Sequence, residues 1–139
     1  MKLSVIIPAR NEFPNVVHTF YSIVHALKVE GFSVQDFEIL IVNNCSNDEK
    51  FPQRGTGGTT DYLSTRGAYS NRVIRVLYDP IAGNHSARNK GARIARGDYL
   101  FFSDAHMAYE PGFFTKMMKA VDESGGLAHG ALQFMGAYP

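Results

Sequence analysis

The chain has 139 residues, 45% of them hydrophobic and 19% charged, with a formal net charge of +1. That length supports one domain with a real core, and residues 1–139 are read as a single domain. The near-zero charge gives no case for nucleic acid, and no apolar run approaches the roughly 20 residues that span a bilayer.

Leu3-Ser4-Val5-Ile6-Ile7 is a β-branched apolar run stopped by Pro8, which predicts a buried strand. Pro8-Ala9-Arg10-Asn11-Glu12 follows as a polar loop. Pro14 fits the first turn of a helix, and Val16, Val17, Phe20, Ile23, Val24 and Leu27 recur at helical spacing up to a stop at Gly31. Phe37–Val42 predicts a second strand, ending in Asn43-Asn44-Cys45-Ser46-Asn47-Asp48. Residues 49–71 are rich in Gly, Thr and Ser and read as a mobile surface loop, with a short helix over Asp61–Tyr69 as the alternative. Arg72–Leu77 predicts a third strand.

Gly83-Asn84-His85-Ser86 opens a helix whose small face is Ala87, Gly91, Ile94 and Ala95, with Arg88, Lys90, Arg93 and Arg96 on its remaining surface and Gly97 as its end. Asp98–Ser103 predicts a strand buried on both faces, because Tyr99 to Phe102 is a continuous apolar run. Pro111 starts another helix with Phe113, Phe114, Met117, Met118 and Val121 as its stripe, and Ser124-Gly125-Gly126 ends it. Leu127–Phe134 reads as a last strand. This order predicts a three-layer α/β/α fold with a mainly parallel sheet. Three strands end in polar clusters, at Pro8–Glu12, Asn43–Asp48 and Asp104–His106. In such a sheet these ends converge on one rim, where ligands bind.

Asp104-Ala105-His106 places a carboxylate and an imidazole just past a strand, the donor set of a divalent-metal site holding a phosphorylated ligand. Taken alone, a solvated turn explains it equally well. No phosphate loop of the Gly-x-x-x-x-Gly-Lys-Ser/Thr type and no Gly-x-Gly-x-x-Gly after the first strand is present, which weighs against P-loop NTPases and an NAD-type Rossmann domain. There is no Gly-x-Ser-x-Gly elbow for serine hydrolysis. His18 and His25, seven apart on a predicted helix, read as helix-surface or packing residues. Cys45 has no internal disulfide partner, so a reducing, cytoplasmic setting is expected, with membrane association through a part outside this stretch left open.

Together these segments resemble a known family. Pro8-Ala9-Arg10-Asn11-Glu12 resembles the Pro-x-x-Asn-Glu signature of family 2 glycosyltransferases of the GT-A fold. Ile41–Asp48 resembles their Val-Asp-Asp-Gly-Ser-x-Asp segment, and Ser86–Gly91 with Ala95–Leu100 is similar to their Ala-Arg-Asn-x-Gly … Ala-x-Gly-Asp-Tyr block. Asp104-Ala105-His106 falls where the family carries Asp-x-Asp. The resemblance implies that Pro8, Ala9, Arg10, Asn11, Glu12, Asn43 and Asn44 line the nucleoside pocket. It implies that Arg88, Asp104 and Ala105 lie at the donor, and that Asp104 and His106 face a divalent metal. An imidazole ligand favours Mn²⁺ over Mg²⁺.

The implied activity is metal-assisted, inverting transfer of a sugar from a nucleotide-diphospho-sugar, a UDP-sugar first, to an unknown acceptor, in the setting of polysaccharide biosynthesis. The alternative is a non-catalytic nucleotide-sugar-binding module or a truncated fragment. The expected catalytic base lies in an acceptor half largely missing here. Glu110 and Asp122-Glu123 read as a helix start and a solvated helix face. A homo-oligomer is left open.

Three departures from the family pattern stand out. Asn43 replaces an Asp, Cys45 replaces a Gly in a turn, and His106 replaces the second Asp. The Asp-x-His form is also that of retaining polypeptide N-acetylgalactosaminyltransferases, against an otherwise inverting pattern.

Overall fold

The computed structural model describes residues 1–48, 58–60, 62 and 74–128. In chain order the elements are β1 (Leu3–Ala9), α1 (Asn15–Val29), β2 (Phe37–Asn44), β3 (Ile74–Asp79), α2 (Asn84–Ile94), β4 (Tyr99–Phe102) and α3 (Phe113–Ser124). The strands form a parallel sheet in the order β3-β2-β1-β4. The chain builds outward from β1 through β2 to β3, then returns past β1 to place β4 on its other side. The order therefore reverses between β1 and β4, the kind of switch point at which open α/β sheets form a crevice.

Period-2 alternation sends the two faces of the sheet to different helices. Leu3, Val5, Ile7, Ile39 and Ile41 pack with Val16, Ile23, Ala26 and Leu27 of α1 and with Phe114 of α3. The opposite face carries Ser4, Ile6, Glu38 and Leu40, all buried, under α2. The result is the expected three layers. α2 approaches closely because Gly91 has no side chain: a Cβ there would lie 2.5 Å from Ile6 Cγ2.

Pro8 does not stop β1, which runs on to Ala9 with Pro8 opposite Val42. Ile6 O accepts from Ser103 N at the last paired position of β4. Pro8, two residues on, turns its missing N–H to that same side, beyond the end of β4, so no ladder bond is lost. Gly31 behaves as expected: it takes φ +90°, and Phe32 N–H returns to Leu27 O.

Gly97 has a different role from the helix stop expected of it. α2 ends at Ile94, and Gly97 is needed because a Cβ would lie 2.4 Å from Ser4 N. β4 is not buried on both faces. Among the described residues it lies at the edge of the sheet, and Leu100 and Phe102 stand 45% and 41% exposed while Tyr99 and Phe101 pack inward.

Arg96 is exposed as expected, but it lies past the end of α2 and its guanidinium reaches Glu38. Its Nη2 and Nε lie 3.0 and 3.2 Å from Glu38 Oε2. Glu38 is fully buried and also accepts from Arg75 Nη1, Ser4 Oγ and the Arg96 main-chain N–H. An apolar strand thus carries one buried carboxylate that ties β1, β2, β3 and the α2–β4 turn together.

α3 starts at Phe113, two residues after Pro111, and its first turn is capped in trans by Glu30, which accepts from Thr115 N at 2.6 Å. It ends at Gly125 in the left-handed region. The stretch expected to be a surface loop includes Gly58–Thr60 and Tyr62, which are helical, and Thr59 is fully buried. The remainder of that stretch, including most of the alternative helix, lies outside the described residues. So does the expected last strand beyond Ala128; Leu127 and Ala128 themselves are not strand. Among the described residues no helix is long and apolar enough to cross a membrane.

Candidate functional site

The carboxyl ends of β1, β2 and β4 open onto a cleft of about 270 Å³. Its wall is Pro8, Ala9, Arg10, Glu12, Asn44, Gly83, Asn84, Asp104, Ala105 and His106. Eight of the eleven residues expected at the site lie in this wall, and Asn11, Asn43 and Arg88 do not.

The segment after β4 is held from behind. Ala105 is buried in the core, which turns its neighbours Asp104 and His106 outward to solvent. Met107 N donates to Thr19 Oγ1 and Tyr109 N to Ser22 Oγ, so α1 fixes the segment at two points. Ser103 Oγ lies 2.7 Å from Tyr109 Oη and donates to Asp104 O. Asp104 and His106 then face different partners: Arg88 Nη2 is 3.6 Å from Asp104 Oδ1, and His106 Nδ1 is 3.3 Å from Glu12 Oε1. Arg88 comes from the second turn of α2, and its Nε is buried with no hydrogen-bond partner among the described residues.

Asn11 does not line the cleft. It adopts φ +55°, and its Oδ1 accepts from Asn47 N and Asp48 N while its Nδ2 donates to Asn47 Oδ1. It joins the loop after β1 to the loop after β2. Asn43 is also outside the cleft wall, 4% exposed; its Oδ1 accepts from Ser46 N and its Nδ2 donates to Thr60 Oγ1. Asn44 is in the wall, but its amide holds the segment leading into α2: Nδ2 donates to Asp79 Oδ2 and Ile81 O, and Oδ1 accepts from Gly83 N. Burial penalises the Asp79 charge, yet hydrogen bonds from Ser86, Ile81 N and Asn44, with Lys90 nearby, hold its carboxyl below the usual range. Cys45 keeps the turn that a glycine would suit, at φ +56°, with Sγ donating to Asp79 O.

Three contributors were not legible beforehand. Gly83 and Asn84 bring the start of α2 to the cleft, where no side-chain cap is found among the described residues. Thr59 accepts from both Glu12 N and Phe13 N and is itself held by Asp48. A Ser or Thr within a Gly/Thr-rich loop gives no sequence signal for such a long-range contact.

Glu12, Asp104 and His106 offer oxygen and nitrogen donors suited to a divalent cation. Among the described residues no group of three or more His, Cys, Asp or Glu could hold a metal by itself. A divalent cation here would take its remaining ligands from phosphate and water, as Mg²⁺-type sites commonly do.

The model of the family described as "Glycosyl transferase family 2" matches residues 4–133. A dolichol-phosphate mannosyltransferase of Pyrococcus furiosus is 30% identical over 131 residues, covering 94% of this chain and 33% of its own length. Among solved structures, S. aureus TarS 1–349 in complex with UDP-GlcNAc aligns with TM-score 0.64 at 23% identity, over 88% of this chain and 32% of that one. The Pyrobaculum calidifontis mannosyltransferase PcManGT in complex with GDP-Man and Mn²⁺ aligns with TM-score 0.65 at 16% identity, over 86% and 32%. These neighbours share the GT-A fold. The chain spans about a third of the length of the curated relatives it matches.

Proposed function

The chain belongs to glycosyl transferase family 2, and from that premise we propose that its cleft binds the nucleotide-diphospho-sugar donor of a metal-assisted, inverting sugar transfer. The observation that carries this reading is the convergence of three strand ends and the start of α2 on one cleft wall.

A nucleotide-sugar leaves behind a diphosphate, and the transfer is slow until that developing charge is stabilised. The helix start at Asn84 favours an anion, while Gly83 N is already given to Asn44 Oδ1. Arg88 adds a guanidinium held next to Asp104. Asp104 and His106 would hold the cation, which supplies further charge neutralisation when bound. Mn²⁺ is the proposed cation because His106 offers nitrogen where the resembling pattern offers oxygen. Pro8, Ala9, Arg10 and Glu12 would line the nucleoside side, with Asn11 and Asn44 holding that wall in shape. Asn43 would reach a base edge, uracil in a UDP-sugar, only by giving up its bond to Thr60 or by using the second lone pair of Oδ1.

The test is turnover. The protein is incubated with UDP- and GDP-sugars and Mn²⁺, and release of nucleoside diphosphate is followed together with the anomeric configuration of the sugar product. The expected result is metal-dependent donor hydrolysis or transfer with inversion. Saturable donor binding with no release under any condition supports a non-catalytic binding module instead.

A further inference from the structure

The contact between Glu12 and His106 has a consequence for metal binding that neither residue has alone. We propose that Glu12 is a positioning residue whose carboxylate accepts the Nδ1–H of His106, leaving the lone pair on Nε2 for a divalent cation. The inference rests on the reading of His106 as a metal ligand.

An imidazole ligates through one nitrogen only when the other carries the proton, and a carboxylate on that second nitrogen fixes which is which. Here His106 Nδ1 lies 3.3 Å from Glu12 Oε1. Most exposed ion pairs contribute little because both side chains wander. These two do not start from loose backbone. Glu12 N donates to Thr59 Oγ1 at 2.8 Å, and Glu12 O accepts from Val16 N at 2.7 Å. Thr59 is fully buried and held by Asp48 through both its N–H and its hydroxyl. On the other side, buried Ala105 and the Met107–Thr19 bond fix the backbone on both sides of His106. The Glu12 side chain is only 24% exposed.

Glu12 keeps the resembling Pro-x-x-Asn-Glu pattern, and His106 is the departure that sets a ring nitrogen against its carboxylate.

The experiment has two readouts. In metal-free protein labelled with ¹⁵N-histidine, at about pH 8 where a free imidazole is neutral, the His106 ring nitrogens report the tautomer. Wild type should carry the proton on Nδ1. Glu12→Ala should revert to the Nε2–H form that free imidazole favours, and Glu12→Gln should keep Nδ1–H because its amide oxygen still accepts. Separately, Mn²⁺ affinity in the presence of UDP should fall about 10–100-fold in Glu12→Ala and stay close to wild type in Glu12→Gln. An Nε2–H tautomer in wild type, or Glu12→Ala leaving tautomer and Mn²⁺ affinity unchanged, overturns the inference alone. Glu12→Gln losing Mn²⁺ as fully as Glu12→Ala with its tautomer intact also overturns it, because Glu12 is then a ligand itself. Undiminished Mn²⁺ binding by His106→Ala overturns the metal reading, and this inference with it.

Discussion

Replacing Glu38 by Gln tests whether one buried carboxylate holds the sheet to the α2–β4 turn. Oε1 accepts from Ser4 Oγ at 2.7 Å and from Arg96 N at 2.7 Å. Oε2 accepts from Arg75 Nη1 at 3.2 Å and from Arg96 Nε and Nη2 at 3.2 and 3.0 Å. A glutamine has one acceptor oxygen for these two clusters of donors. Its best arrangement keeps the oxygen on Ser4 and Arg96 N, and turns its NH₂ towards two guanidinium groups. Those groups are partly exposed and can swing into water, which limits the loss. Hydrogen bonds to charged groups are worth about 1.5–3 kcal/mol each when buried, so the discounted cost is about 2–4 kcal/mol. Glu38→Ala also strands Ser4 Oγ and Arg96 N–H, and should cost about 3–5 kcal/mol. Against a total stability of about 5–15 kcal/mol, either loss is plain in urea unfolding followed by circular dichroism.

The pH dependence has a defined sign. Burial by itself raises the Glu38 pKa, but the bonds from Ser4, Arg96 and Arg75 outweigh it and hold the carboxyl below its usual range. A carboxyl depressed in the folded state stabilises fully above its unfolded pKa, about 4.3, and that contribution disappears as pH falls through the folded value. Wild type should therefore lose more stability than Glu38→Gln between about pH 5 and pH 3. Other depressed carboxyls, Asp36 and Asp79, act alike in both proteins and cancel in the comparison. A Glu38→Gln protein within about 1 kcal/mol of wild type at neutral pH, with the same acid profile, would refute the reasoning.

Gly91→Ala should destabilise by about 1–3 kcal/mol despite alanine's better helix propensity, because its Cβ would overlap Ile6 Cγ2; urea unfolding measures it, and a stabilised variant would mean that α2 shifts freely. Arg88→Ala should weaken UDP binding about tenfold in calorimetric titration, an effect of about 1.4 kcal/mol, whereas Arg93→Ala leaves it unchanged. Equal modest losses in both would assign the effect to general charge and not to the guanidinium beside Asp104.

Much of this architecture was legible because it rests on local pattern. β-Branched runs marked β1 and β2, the Ala87/Gly91 face marked the helix that comes close to the sheet, and polar strand ends marked the rim. What was not legible depends on partners distant in sequence. Glu38 reads as one polar residue in an apolar run until Arg75 and Arg96 are placed beside it. Tyr99–Phe102 has the composition of a strand buried on both faces, and only the structure shows Leu100 and Phe102 exposed. Gly97 follows a helix and looks like its stop, but its lack of a side chain serves the approach to Ser4. At the site, Asp104, His106 and the loop from Pro8 were marked by position at strand ends. The amide contacts of Asn11, Asn43 and Asn44 were not, because an asparagine that holds a loop and one that meets a ligand look alike in sequence.

The most direct measurement is calorimetric titration of UDP-, GDP- and dTDP-sugars into the protein with and without Mn²⁺, repeated on Asp104→Ala and His106→Ala variants shown by circular dichroism to be folded. The account predicts saturable binding of one nucleotide class, UDP first, that Mn²⁺ strengthens in wild type and no longer strengthens in either variant. Saturable, Mn²⁺-strengthened binding that is unchanged in both variants, or no saturable binding of any nucleotide-sugar, would contradict it.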